Sequence, residues 1–177
     1  MSALLSNNPA PDFDDPLGLL KACHQRILGF CELLEKMLAH INDHGIDSEV
    51  KQSAQKIHRY FSSAGVLHHM DEEQNLFPLL IGSSLKIATI IHGLKQDHIK
   101  INESWEKLSP VLGRPATIEG TSEFNQWVAE FCRAYRTHIK TEEDDLLSTA
   151  QHILSTEQLQ QLGKHMKERR ERFLNAI

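Results

Sequence analysis

The sequence predicts an all-α protein folded as an up-down-up-down four-helix bundle, with a short N-terminal leader and an extra C-terminal helix. Three observations carry that expectation. Apolar residues recur at spacings of three and four along four long stretches, the period of one helix face, and no segment alternates as a strand would. Leu, Lys, Glu, Gln and Ala together supply 71 of the 177 residues, which include only 9 Gly and 2 Tyr, and this favours helix. The connections between the stretches are short, and short connections make consecutive helices antiparallel neighbours.

Asp15 followed by Pro16 gives the first helix an N-cap and a first-turn proline, and Gly45 can end it after about His44. Its inward row is Leu17, Leu20, His24, Ile27, Cys31, Leu34, Leu38 and Ile41, an apolar stripe interrupted at His24. Asp47 or Ser48 caps the second helix, which turns Ile57, Phe61, Ala64, His68, Glu72, Leu76 and Leu79 inward and closes at Gly82. Pro78 is expected to kink or end its last turns. Ser83 or Ser84 opens the third, whose row is Ile87, Ile91, Leu94, His98, Ile101, Trp105 and Leu108 and which stops around Ser109 and Pro110. A loop from Gly113 to Gly120 leads to the fourth helix, capped by Thr121 or Ser122 and reaching about His152. Ser155 and Gln158 fit a capping box for a fifth helix, in which Leu159, Leu162, Met166 and Phe173 form one stripe opposite a mixed-charge face. That helix reads as a lid packed on the bundle.

With 40% apolar and 24% charged residues, the chain is expected to form one domain over residues 15–177 behind a flexible leader at 1–14. A net charge of -5 with no basic block argues against nucleic acid as a partner. The absence of a long apolar run or a signal-like start leads to the expectation of a cytoplasmic protein without membrane contact. Cys23, Cys31 and Cys132, an odd count with no C-x-x-C, fit neither a disulfide framework nor a zinc-thiolate site. Cys31 is expected to pack as a small hydrophobe.

The chemistry lies in a repeat. His68 with Glu72 and His138 with Glu142 are two copies of His-x-x-x-Glu displaced by 70 residues. Positions i and i+4 stack on one helix face, so an imidazole nitrogen and a carboxylate oxygen reach one ion and each pair is half a metal site. The displacement of 70 also maps Ile57, Phe61, Ala64 and Leu76 onto Trp127, Phe131, Ala134 and Leu146. A displacement of 74 maps Leu17, Leu20, His24, Ile27 and Leu34 onto Ile91, Leu94, His98, Ile101 and Leu108. At 1.5 Å per residue, His24 lies roughly 12 Å into its helix and His68 and Glu72 roughly 21 and 15 Å from the end of theirs, so antiparallel packing brings them to similar depth. The other half behaves alike, which suggests a pseudo-twofold bundle with six polar residues in one layer.

A single core histidine is more often a hydrogen-bonded structural residue than a ligand. Six such groups differ, because burying them uncompensated costs several kcal/mol each against a net stability of ~5 to 15 kcal/mol. A metal site of His24, His68, Glu72, His98, His138 and Glu142 is therefore expected. Nitrogen and oxygen ligands without thiolates favour iron, with manganese and zinc behind it, and paired carboxylates suit a dinuclear centre. Glu73 and Glu143 also recur at 70 and either support the ligands or face water. His69, roughly 100° round the helix from His68, joins His40, His44, His58, His92, His152 and His165 as surface, cap or ligand-supporting residues.

The chain resembles the hemerythrin-like HHE cation-binding family through His24 in LLKACHQRI, HHMDEEQNLFP at 68–78, His98 in QDHIKI and HIKTEEDDLL at 138–147. The resemblance covers nearly all of residues 15–174 and implies a hemerythrin-like four-helix bundle holding two Fe ions. Carried over by position, His24, His68, His98 and His138 would be terminal ligands, and Glu72 and Glu142 would bridge the irons beside an oxo or hydroxo group. One departure is Leu94, where oxygen-carrying members usually have a second histidine one turn before the one matching His98. The expected function is a non-haem di-iron protein that binds or senses dioxygen, nitric oxide or peroxide, with turnover of peroxide or nitric oxide left open. Its expected partner is thus a small diatomic ligand or peroxide; no protein partner or oligomeric state is indicated. Three alternatives stand beside it. Iron storage or homeostasis meets the difficulty that ferritin-like proteins use Glu-x-x-His, the reverse order. Iron-sulfur repair relatives share the four-His, two-Glu set but usually add an N-terminal cysteine-bearing domain. The third is an interaction module stabilised by its metal.

Overall fold

The structure, a computed structural model, describes residues 11–118 and 121–176. The first ten residues of the expected leader, and positions 119 and 120 of the expected loop, lie outside the described residues. Eight α-helices occur among the described residues, and no strand: α1 (Pro16–His44), α2 (Ser48–Phe61), α3 (Ala64–Asp71), α4 (Phe77–Leu80), α5 (Leu85–Leu112), α6 (Ser122–Thr141), α7 (Ser148–Ile153) and α8 (Thr156–Asn175). Two π-helical turns, Glu72–Leu76 and Glu142–Leu147, join α3 to α4 and α6 to α7.

The caps are those the sequence announces. Asp15 accepts from the Gly18 amide and Pro16 opens α1, while Gly45, at φ 78°, ends it in the left-handed region where glycine is favoured. Asp47 accepts from the amides of Glu49 and Val50, Ser84 from Ile87 and Thr121 from Phe124. Both halves of the Ser155–Gln158 capping box are formed at the start of α8.

Three boundaries differ from expectation. The second long helix is broken at Ser62 and Ser63, where the Ser63 hydroxyl donates to the Arg59 carbonyl and competes with helical pairing. The third runs through Pro110 and ends at Leu112, past the expected stop around Ser109 and Pro110. Each π turn holds one residue more than an α turn and so rotates the helix after it. Hence Phe77 and Leu80, rather than Leu79, are buried after Leu76. Pro78, which has no amide to donate, sits in the first turn of α4 just after the π turn.

α1 packs on α2 and α6, and α5 packs on α6 and α2. The apolar interior divides in two. One cluster includes Ile27, Cys31, Leu34, Ile57, Phe61, Ile101, Phe131 and Tyr135, and the other includes Leu20, Leu76, Phe77, Ile91, Leu94, Leu146 and Met166. Along α1 the order is Leu20, His24, Ile27, and along α5 it is Leu94, His98, Ile101, so a polar layer separates the clusters. α8 contributes Leu162 and Met166 to the second cluster, and no described helix is long and apolar enough to cross a membrane.

Candidate metal centre

His24, Glu72, His98, His138 and Glu142 are fully buried, and His68 is 1% exposed. Each is delivered by the face its helix turns inward: His24 by α1, His68 by α3, His98 by α5 and His138 by α6. The two glutamates occupy the first position of each π turn. The six side chains predicted from sequence all meet in one layer.

Glu72 Oε1 lies 2.8 Å from His68 Nε2 and 3.7 Å from His24 Nε2, while its Oε2 lies 3.1 Å from His98 Nε2. Glu142 Oε2 lies 3.1 Å from His24 Nε2 and 3.5 Å from His138 Nε2. The Nε2 atoms of His98 and His138 approach to 3.2 Å. Donor atoms of His24, His68, Glu72 and Glu142 fall within 4.8 Å of one another, as do those of Glu72, His98 and His138, so Glu72 belongs to both groups.

Several of these contacts are close without being aligned as hydrogen bonds. All four carboxylate oxygens, His24 Nε2 and His68 Nε2 are buried without a hydrogen-bond partner. A buried polar atom left unpartnered is costly, and a whole shell of them is the pattern expected of donors that meet a common ion. The donor set therefore fits a metal centre.

The outer nitrogens of two histidines are held in a repeating way. Glu73 Oε1 lies 2.6 Å from His98 Nδ1, and Glu143 Oε1 lies 2.9 Å from His24 Nδ1. Each carboxylate fixes its ring's tautomer with Nε2 facing the centre. As to the two roles left open for these glutamates, both carboxylates contact a layer histidine, and Glu73 also faces water. The displacement of 74 that relates His24 to His98 also relates Cys23 to Asp97. Asp97 Oδ2 is 3.9 Å from His138 Nδ1, and the Cys23 thiol flanks His68. Burial pushes the thiol pKa up, but His68 and two arginines bring it below its ordinary value.

Charge balance without metal rests on protons. Burial disfavours charged His24, yet the carboxylates of Glu142 and Glu72 push its pKa up to about 11. Burial likewise opposes charged His68, and Glu72 with Cys23 raises it to about 9. Glu72 is held well below the carboxylate range: burial acts upward but is outweighed by His68, His24 and His98.

One residue, Asp71, escaped sequence reading, and His69 takes the ligand-supporting one of the roles left open to it. His69 is buried and stacks on His98, with ring centroids 4.0 Å apart and planes 14° apart; burial and the neighbouring His98 push its pKa well down. Asp71 is fully buried and meets Arg169 of α8. The remaining histidines behave as expected of caps and surface: His40 bonds Asp47 at 2.8 Å, His58 bonds Ser109 at 3.1 Å and His165 bonds Asn75 at 3.1 Å. Cys31 is fully buried in the first apolar cluster.

Residues 15–150 match the hemerythrin HHE cation binding domain. The chain is also similar to an uncharacterized protein of Haemophilus influenzae, 31% identical over 159 residues, which cover 90% of this chain and 92% of that one. With its layer of imidazoles and carboxylates in an all-helical fold, this chain belongs to the hemerythrin HHE cation-binding family.

Proposed function

We propose that this protein is a cytoplasmic non-haem di-iron protein, an up-down-up-down bundle over residues 15–177, that binds or senses dioxygen, nitric oxide or peroxide. The observation that carries the reading is the buried shell of unpartnered oxygen and nitrogen atoms on Glu72, Glu142, His24 and His68, completed by His98 and His138. His24 and His68 would hold one iron, His98 and His138 the other, and Glu72 and Glu142 would span both. When bound, iron supplies electrons and a coordination position for a small ligand.

The protein's own residues set the conditions. Glu73 and Glu143 orient His98 and His24 and make their Nε2 atoms better donors. Leu94, one turn before His98, is buried and offers no donor atom, so the four histidines leave coordination positions to be filled by something other than a fifth. Phe77, Leu94 and Leu146 close one side of the layer and Ile27, Ile101 and Phe131 the other, which excludes bulk water.

The test is anaerobic loading with ferrous iron, followed by exposure to dioxygen, nitric oxide or peroxide under absorption spectroscopy. Saturation at two irons and a spectral change with at least one ligand are expected. Failure to take up ferrous iron, or spectra indifferent to all three ligands, would refute the proposal.

A further inference from the structure

Among the described residues, Asp71 and Arg169 are buried charged side chains that the metal site does not use, and they meet 98 residues apart in sequence. We infer that α8 positions the metal centre, Arg169 clamping the π turn that presents Glu72 and Glu73. The inference rests on the proposed metal centre and goes beyond it by assigning a role to a helix outside the matched residues 15–150.

The Arg169 guanidinium grips both ends of the turn. Its Nη1 donates to Asp71 Oδ1, immediately before Glu72, and its Nη2 donates to Gln74 Oε1 at 3.0 Å and Asn75 Oδ1 at 2.6 Å. Arg170 adds a second cation, Nη1 lying 2.8 Å from Asp71 Oδ2. His165, a turn earlier on α8, meets Asn75 at 3.1 Å. A planar guanidinium with several fixed donors can hold three acceptors at once, which an ammonium on a flexible stem does poorly.

Two observations separate this clamp from ordinary docking. First, α8 is already anchored by Leu162 and Met166 in the apolar core and by Gly163, where an added Cβ would lie 1.9 Å from the Phe13 carbonyl oxygen. Second, the other π turn forms without a clamp. The displacement of 70 places Thr141, Asp144 and Asp145 where Asp71, Gln74 and Asn75 stand. Asp144 and Asp145 are exposed, and among the described residues their bonds stay within their own helical segment: the Asp144 carboxylate accepts from Lys140, and the Asp144 and Asp145 backbone carbonyls accept from Ser148 and Thr149. The clamp is therefore not what makes a π turn. It restrains one of two otherwise similar turns, and with it Glu72, which reaches both donor groups, and Glu73, which orients His98.

The experiment loads full-length wild type and variants with ferrous iron under anaerobic conditions and follows iron release to a ferrous chelator, alongside melting of the metal-free proteins. Arg169→Gln removes the charge, Arg169→Lys keeps it without the fork, and Met166→Ala loosens α8 without touching the clamp. Arg169→Gln is expected to accelerate release roughly tenfold, the scale of lost ligand support, with Arg169→Lys intermediate. Met166→Ala lowers melting at least as far yet releases iron within about twofold of wild type. The inference is overturned if Arg169→Gln releases iron at the wild-type rate, or if both variants accelerate release in proportion to lost stability. Wild type that takes up no metal would overturn the metal reading first and this inference with it.

Discussion

Glu73→Gln isolates what a carboxylate behind a histidine contributes. Glu73 Oε1 sits 2.6 Å from His98 Nδ1, and glutamine preserves the shape while removing the charge. Hydrogen bonds to a charged group contribute roughly 1.5–3 kcal/mol. The Glu73 side chain is 42% exposed, so water screens it and the lower end applies. Since about 1.4 kcal/mol is a factor of ten, Glu73→Gln is expected to weaken metal binding roughly tenfold. Glu143, 2.9 Å from His24 Nδ1 and 29% exposed, is better shielded, so Glu143→Gln is expected to cost at least as much. Cobalt(II) competition with a chromophoric chelator reads both, and metal-free melting curves establish that the fold is intact. Affinities within about twofold of wild type for both variants would refute the orienting role.

Metal uptake is also coupled to protons. His24 and His68, raised to about 11 and about 9, carry protons at neutral pH that a metal must displace. Loading in weak buffer at pH 7 is therefore expected to acidify the solution, and affinity to fall as pH falls; pH-independent affinity between pH 6 and 8 would contradict this. In the metal-free protein the sign is opposite at the alkaline end, because a raised histidine pKa contributes stability that is complete below about 6.5 and lost as pH rises through about 9 and 11. Metal-free melting temperature should accordingly drop on alkaline titration. His68→Ala and Glu142→Ala are each expected to lose at least one iron by metal analysis, whereas His152→Ala, exposed and outside the layer, keeps wild-type content. Gly163→Ala forces a Cβ against the Phe13 carbonyl and should destabilise by about 1–3 kcal/mol. Gly29→Ala, with open space around it, should stabilise by roughly 0.5–1 kcal/mol, and thermal melting distinguishes the two signs.

Most of what positions the site was legible because it is local. Asp15 with Pro16, Gly45 and the Ser155–Gln158 box announce helix ends through the chemistry of adjacent residues. His24 and His98 stand out because each breaks an apolar row, and the repeat selects His68, Glu72, His138 and Glu142 over seven other histidines. The π turns were not legible, because His-x-x-x-Glu has one spacing whether the next turn is α or π. A faint signal existed in Leu76, Phe77 and Leu80, an apolar triplet one residue out of step with the preceding row. The break at Ser62 and Ser63 and the passage of α5 through Pro110 are decided by tertiary packing over local preference. Arg169 falls in step with Leu162, Met166 and Phe173, a charge in an apolar row, and Asp71 borders the inward row of its helix, but nothing near either residue names the other. His69 likewise reads as flank to His68 until α5 brings His98 over its ring.

The central claim, that this layer of imidazoles and carboxylates holds a redox-active pair of irons, is tested most directly by metal content. Protein purified without added metal would be assayed for iron, manganese and zinc, with its near-ultraviolet and visible spectrum taken before reduction, after reduction and after re-exposure to air. The account predicts about two irons per chain and a charge-transfer band that bleaches on reduction and returns in air. Zinc alone, or a stably folded protein with no metal, would contradict it.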